Sequence, residues 1–182
     1  MTHNSHCSHC GTRFESVDGY PRTCPNSDCG AMTWANPIPV SVVLLPLVHR
    51  GRTGLVVVRR AIPPQKGKLA LVGGFVDVGE TWQSAGAREV REEIGATIDA
   101  SGLQPFWFTS TEPNPNRVLL FSRARPIDAL PTFTPNAEVS ERGAVFGPGG
   151  LEDVFAFPLH IEAARRWFEA QGTASAHDYT EL

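Results

Sequence analysis

The stretch GGFVDVGETWQSAGAREVREEIGA, Gly73 to Ala96, decides the reading of this 182-residue chain. It places Glu80, Glu89, Glu92 and Glu93 close together, just after a glycine pair. Thr81 to Ile94 carry helical signals and Gly95 supplies a C-terminal stop. Just upstream, LALVGGFV (69–76) reads as a short buried strand ending in a turn. On a helix successive residues turn by about 100°, so Glu89, Glu92 and Glu93 share one arc, while Val90 and Ile94 lie together on a different side. Like-charged neighbours weaken an isolated helix by a few tenths of a kcal/mol per pair. Gly86 inside the helix costs about 1 kcal/mol more relative to alanine. Arg88 and Arg91 offset part of the repulsion. The plainer alternative is a solvated face of ordinary Glu–Arg pairs. The reading adopted is that the acids are gathered to hold a hard divalent cation, Mg²⁺ or Mn²⁺, which prefers oxygen ligands.

Gly74, Glu80, Arg88, Glu89, Glu92, Glu93 and Gly95, with Val90 and Ala96 at apolar positions, fit the spacing G-x5-E-x7-R-E-U-x-E-E-x-G-U. This resembles the signature box of the Nudix hydrolases at every defined position. The resemblance implies a Nudix-type α-β-α sandwich and cleavage of the pyrophosphate in a nucleoside diphosphate linked to another group, with Mg²⁺ or Mn²⁺ as cofactor. It implies that Glu89 and Glu93 are the main metal ligands, with Glu92 assisting and the Gly73 carbonyl contributing. Arg88 would orient the acids through a salt bridge, and Glu80 would hold the loop to the helix. Downstream, NAEVSERGAVF (136–146) offers Glu138 and Glu141. By the family's late-loop pattern Glu138 would be a further ligand or base and Glu141 the second acid. The general base stays open among Glu89, Glu92 and an acid outside the box.

All four cysteines fall in residues 1–36, as C-x2-C (Cys7, Cys10) and C-x4-C (Cys24, Cys29), each pair followed by glycine. Two tight turns aiming four thiolates at one ion suit a structural zinc ribbon, and such a closed site is not catalytic. His3, His6 and His9 sit nearby, but four thiolates already complete a tetrahedral set, so they are read as solvent-exposed. A segment this poor in aliphatic residues has no core of its own, and the metal would stabilise it. The layout resembles that of NADH pyrophosphatases, although QPFWF (104–108) replaces their SQPWPFPxS motif.

The rest of the chain is consistent with one domain and an appendage. The apolar fraction of 41% and charged fraction of 19% describe a globular chain. A net charge of −3 and a pI near 6.1 argue against a general nucleic-acid binder. The run PVSVVLLPLV (39–48) is about half the ~20 residues a membrane helix needs, and no secretory signal is read at the start. A cytoplasmic location is expected.

The expected boundaries are a zinc ribbon over 1–36, a hydrolase domain over 37–172 and a flexible tail over 173–182. Strands are expected at 40–48, 54–60, 69–76, 103–111, 117–125 and around 143–147, with a loop at 112–116 and a final helix at 159–172. This is an α+β chain with a mixed sheet carrying helices. Phe75 and Trp107 are candidates for stacking on a substrate base, and Trp34 is expected to pack. A nucleoside-diphosphate small molecule is the expected partner, and dimers are frequent among similar enzymes. The rival readings are a sensor of this fold that binds nucleotide sugars without cleaving them, and a partner-docking module.

Overall fold

The computed structural model describes residues 5–112 and 116–182. Most of the loop expected at 112–116 lies outside the described residues, as does His3. The chain divides into two compact units, up to Pro37 and from Ile38 onward. In the first, β1 (Arg22–Thr23) pairs antiparallel with β2 (Met32–Thr33). Its small core is Cys7, Phe14 and Cys24, with Cys29 and Ala31 packed against them. Trp34, expected to pack, is 60% exposed.

In the second unit the elements run β3 (Ile38–Leu44), β4 (Pro46–His49), β5 (Arg52–Arg60), β6 (Leu69–Phe75), α1 (Trp82–Ile94), β7 (Gln104–Ser110), β8 (Arg117–Arg123), β9 (Val139–Val145), α2 (Leu151–Val154), α3 (Pro158–Ala170) and β10 (Tyr179–Glu181). Among the described residues they form an eight-stranded mixed sheet in the order β10-β9-β5-β6-β3-β8-β7, with β4 also paired to β5. The β3–β8 pair is parallel and the other pairs are antiparallel.

Side-chain alternation along the strands splits the core between two faces. Val42, Leu44, Leu69 and Leu71 cluster with Ala163, Ala164, Trp167 and Phe168 of α3. Val43, Leu45, Ala70 and Val72 cluster with Val90 and Ile94 of α1. The sheet is thus sandwiched between helices, and the acidic arc of α1 is left beside the end of β6. No helix among the described residues is long and apolar enough to cross a membrane.

Two expectations need correction. The apolar run at 40–48 is two strands, broken at Leu45. Pro46 has no N–H for a ladder and sits at the first position of β4, which turns away to pair with β5. The tail at 173–182 is not wholly free, because β10 pairs with β9 through Tyr179↔Val145 and Glu181↔Gly143. Gly143 makes room for it: a Cβ there would lie 2.5 Å from the Tyr179 ring. Tyr179 also donates from its hydroxyl to Glu141.

Candidate active site and metal centre

Helix α1 starts at a capping box. Thr81 Oγ1 accepts from Ser84 N at 3.1 Å, and Ser84 Oγ accepts from Thr81 N at 2.9 Å. It ends where Gly95, at φ +73°, donates to Arg91 O. Gly86 lies where the helix meets β3, and a Cβ there would be 2.9 Å from both Ser41 Oγ and Val43 Cγ2. The glycine lowers helix propensity but lets α1 sit this close to the sheet. Ser41 Oγ donates to Trp82 O at 2.8 Å and fixes the first turn.

That close approach sets the acids against the glycine pair. A Cβ on Gly74 would lie 2.3 Å from Glu89 Oε1, so a side chain there would push the Glu89 carboxylate aside. Gly73 N donates to Glu93 Oε2 at 3.1 Å. Arg88 joins the loop to the helix. Its Nε and Nη2 donate to the two oxygens of Glu80 at 2.9 and 3.0 Å, and Nη2 also donates to Phe75 O at 2.9 Å. Its Nη1 donates to Glu89 at 2.7 Å and Glu92 at 3.1 Å. Glu80 accepts from Asp77 N as well. These bonds hold the Glu80 carboxyl below the usual carboxylate range, with Arg88 the main cause.

Arg88 therefore serves Glu80, Glu89 and Glu92 but not Glu93. Burial raises the Glu89 carboxyl against the pull of Arg88, with Glu92 and Glu138 adding repulsion. Burial, then the charges of Glu89 and Glu138, push Glu93 up to about 8, against the Gly73 N–H and Arg60. Among the described residues no ion pair within 4.0 Å engages Glu93 or Glu138. Two carboxylates that repel one another, with too little positive charge beside them, suit a hard divalent ion. Glu92 differs: its side chain is 53% exposed and is shared by Arg88 and Arg91.

The late acids separate. The β5–β9 register shifts between Arg59 and Arg60, and bulges re-aim side chains. Glu141 pairs with Arg59 at 2.9 and 3.0 Å and accepts from Tyr179, so it ties strands together instead of joining the acids. Glu138 is exposed, and its charge is felt by both Glu89 and Glu93. Phe75 is 50% exposed, with the Arg117 guanidinium 5.8 Å from its ring. Trp107 is occupied otherwise: it stacks on Phe121 at 5.1 Å, and Arg166 lies 4.5 Å from its ring. Its two neighbours make it a packing residue.

Sequence reading missed Arg60 and Asn136. Arg60 is anchored by its donation to Pro64 O at 2.8 Å, lies 5.0 Å from the Phe157 ring and is felt by Glu93. Asn136 ties the late loop to α1. The N-A-E turn was its only local signal.

In the first unit the sulfurs of Cys7, Cys10, Cys24 and Cys29 lie within 4.8 Å of one another, and the cysteines are free of disulfides. Cys7 and Cys29 are 3.9 Å apart, and Cys10 and Cys24 are 3.5 Å apart. Tetrahedral zinc with Zn–S bonds of about 2.3 Å needs sulfurs about 3.8 Å apart, so the set fits zinc. His9 N donates to Cys7 Sγ at 3.4 Å. His6 and His9 side chains stand outside the cluster.

A sequence model of the NUDIX domain matches residues 37–171. The NAD-capped RNA hydrolase NudC of Mycobacterium tuberculosis (strain H37Rv) is 34% identical over 94 residues, 50% of this chain and 30% of that protein. The chain thus aligns to about a third of that relative's length. A NUDIX hydrolase structure from Nitrosomonas europaea superposes with a TM-score of 0.69 at 24% identity, covering 95% of this chain and 96% of that one. The NUDIX domain of Shewanella oneidensis NrtR, solved with ADP ribose, superposes at 0.59 and 17% identity, covering 74% and 90%. These two likenesses concern the fold.

Proposed function

The chain belongs to the NUDIX domain family, and from that premise we propose that it hydrolyses the pyrophosphate of a nucleoside diphosphate linked to a second group. ADP-ribose, a dinucleotide and a modified nucleotide are the substrates in view. The observation that carries the reading is the Glu89–Glu93 pair on one edge of α1, closed against Gly73 and Gly74, with Glu93 in no ion pair among the described residues.

Glu89 and Glu93 would hold the divalent ion, assisted by Glu92 and the Gly73 carbonyl. Bound there, Mg²⁺ or Mn²⁺ neutralises phosphate charge and acidifies a water. Arg88 keeps Glu89 oriented and the loop of Glu80 against the helix. Glu138 accepts the proton of the attacking water. The water oxygen bonds to one phosphorus as the bridging P–O bond breaks, and the leaving phosphate departs with its electron pair. Arg60 meets the charge of a phosphoryl oxygen, and the open face of Phe75 stacks on a base. The four cysteines hold zinc as a structural ion away from this chemistry.

The test is a panel of ADP-ribose, NADH and 8-oxo-dGTP incubated with full-length protein and Mg²⁺. Mononucleotide release that is lost in Glu93→Gln and kept in Cys7→Ser with its second unit still folded is expected. Tight binding of ADP-ribose with no release by the wild-type protein would instead make the chain a sensor.

A further inference from the structure

The C-terminal turn of α1 is captured by one short segment, residues 136–142. A helix leaves its last four carbonyls without intrahelical donors. Here Gly95 N satisfies Arg91 O at 3.0 Å. Asn136 Nδ2 donates to Glu92 O at 3.0 Å. The buried Arg142 donates from Nη1 to Ile94 O at 2.7 Å, and its other nitrogens go to Pro131 O and Leu182 O. The helix end is thus fastened from outside by two side chains six positions apart in sequence.

Asn136 does a second thing with the same amide. Its Oδ1 accepts from Glu138 N at 2.9 Å and from Val139 N at 2.8 Å, while the Asn136 backbone N–H donates to Val139 O at 2.9 Å. The backbone of Glu138 is also held across the sheet, since its carbonyl accepts from Ala61 N at 2.7 Å. One planar amide therefore grips the helix that carries Glu89 and Glu93 with its nitrogen, and the turn that carries Glu138 with its oxygen. We infer that Asn136 is a positioning residue that fixes Glu138 relative to the acids of α1. The inference rests on the hydrolase reading above.

Arg142 is the weaker handle for a test, because it is buried and its loss would destabilise the unit as well as free the helix end. Asn136 is exposed, and its replacement leaves the core intact. Asn136→Ala removes both grips. Asn136→Ser keeps a short acceptor for the turn but does not reach Glu92 O, so it separates the link to the helix from the turn itself.

The experiment is a double-mutant cycle of Asn136→Ala and Glu138→Gln, read as kcat and KM with Mg²⁺ on the substrate the wild-type protein cleaves. Hydrogen exchange of the Glu138 and Val139 amides is measured alongside. Supporting residues of this kind typically alter activity by roughly 10–100-fold. Asn136→Ala should lower kcat within that range with KM little changed, Asn136→Ser should follow it, and the loss should vanish when Glu138 is already glutamine. Exchange at the Glu138 and Val139 amides should quicken in the alanine variant. An equal loss in both Glu138 backgrounds, or unchanged exchange, overturns the inference and leaves the hydrolase reading standing. Absence of turnover in the wild-type protein sinks that reading, and this inference with it.

Discussion

Arg88 holds Glu80 with two parallel hydrogen bonds, Nε to Oε1 at 2.9 Å and Nη2 to Oε2 at 3.0 Å, and so joins the turn before α1 to the face of the helix that carries the acids. Planar, forked pairing of this type fixes direction as well as distance. The same guanidinium spends its remaining reach on Glu89, Glu92 and Phe75 O. Lysine cannot reproduce that fork. Arg88→Lys should lower kcat by roughly 10–100-fold while the protein stays folded. Steady-state kinetics beside a circular-dichroism melt checks this, and unchanged kcat would remove Arg88 from the site.

Glu93 gives the site a pH dependence. Its native carboxyl lies at about 8 against an ordinary value of 4.5. Between those values the folded protein holds a proton that the unfolded chain releases. Without metal, this group's contribution to stability is therefore full below about 4.5 and is lost as pH rises towards about 8. Thermal melts of metal-free protein should fall over that window, and Glu93→Gln should flatten the fall. Because the ion must displace the proton, Mn²⁺ affinity should rise over the same window. Calorimetric titration at several pH values measures it.

Gly86→Ala runs against helix propensity, which favours alanine by about 1 kcal/mol. The added methyl would meet Ser41 Oγ and Val43 Cγ2 at 2.9 Å, and overpacking of this kind costs about 1–3 kcal/mol. The variant should unfold at lower denaturant and lose turnover as α1 is pushed off β3. A stability gain would show that the close approach is dispensable.

Zinc should be present at one ion per chain and depend on all four thiols. Cys7→Ser or a strong chelator should release it and open residues 5–37 to protease, while 38–182 resists digestion. The unit's core is little more than Cys7, Phe14 and Cys24, so metal binding is much of its folding free energy. Metal analysis and limited proteolysis decide it.

What could be read from the sequence was local. Periodicity placed α1 to within one residue, and Gly95 marked its end, because caps and apolar spacing act within a few positions. The grouping of Glu80, Arg88, Glu89 and Glu93 was legible for the same reason. Pro46 marked the break at Leu45 locally, but the choice of β4 to pair with β5 is made by tertiary contacts. Strand β10 was hidden because its partner Gly143 lies far back in the chain and offers only the absence of a side chain. The roles of Asn136 and Arg142 depend on carbonyls of α1 44 and 48 residues away, which no short pattern records. In sequence only the family's late-loop pattern separates Glu138 from Glu141. The bulge beside Arg59 and Arg60 is part of what separates them.

Glu89 and Glu93 lie on one edge of α1, where they would share a divalent ion. Crystals of the full chain soaked in Mn²⁺ and measured at the manganese absorption edge test it most directly. An anomalous peak at coordination distance from carboxylate oxygens of both residues, absent in Glu93→Gln crystals, is expected. A groove with no peak, and both carboxylates turned toward solvent, would contradict it.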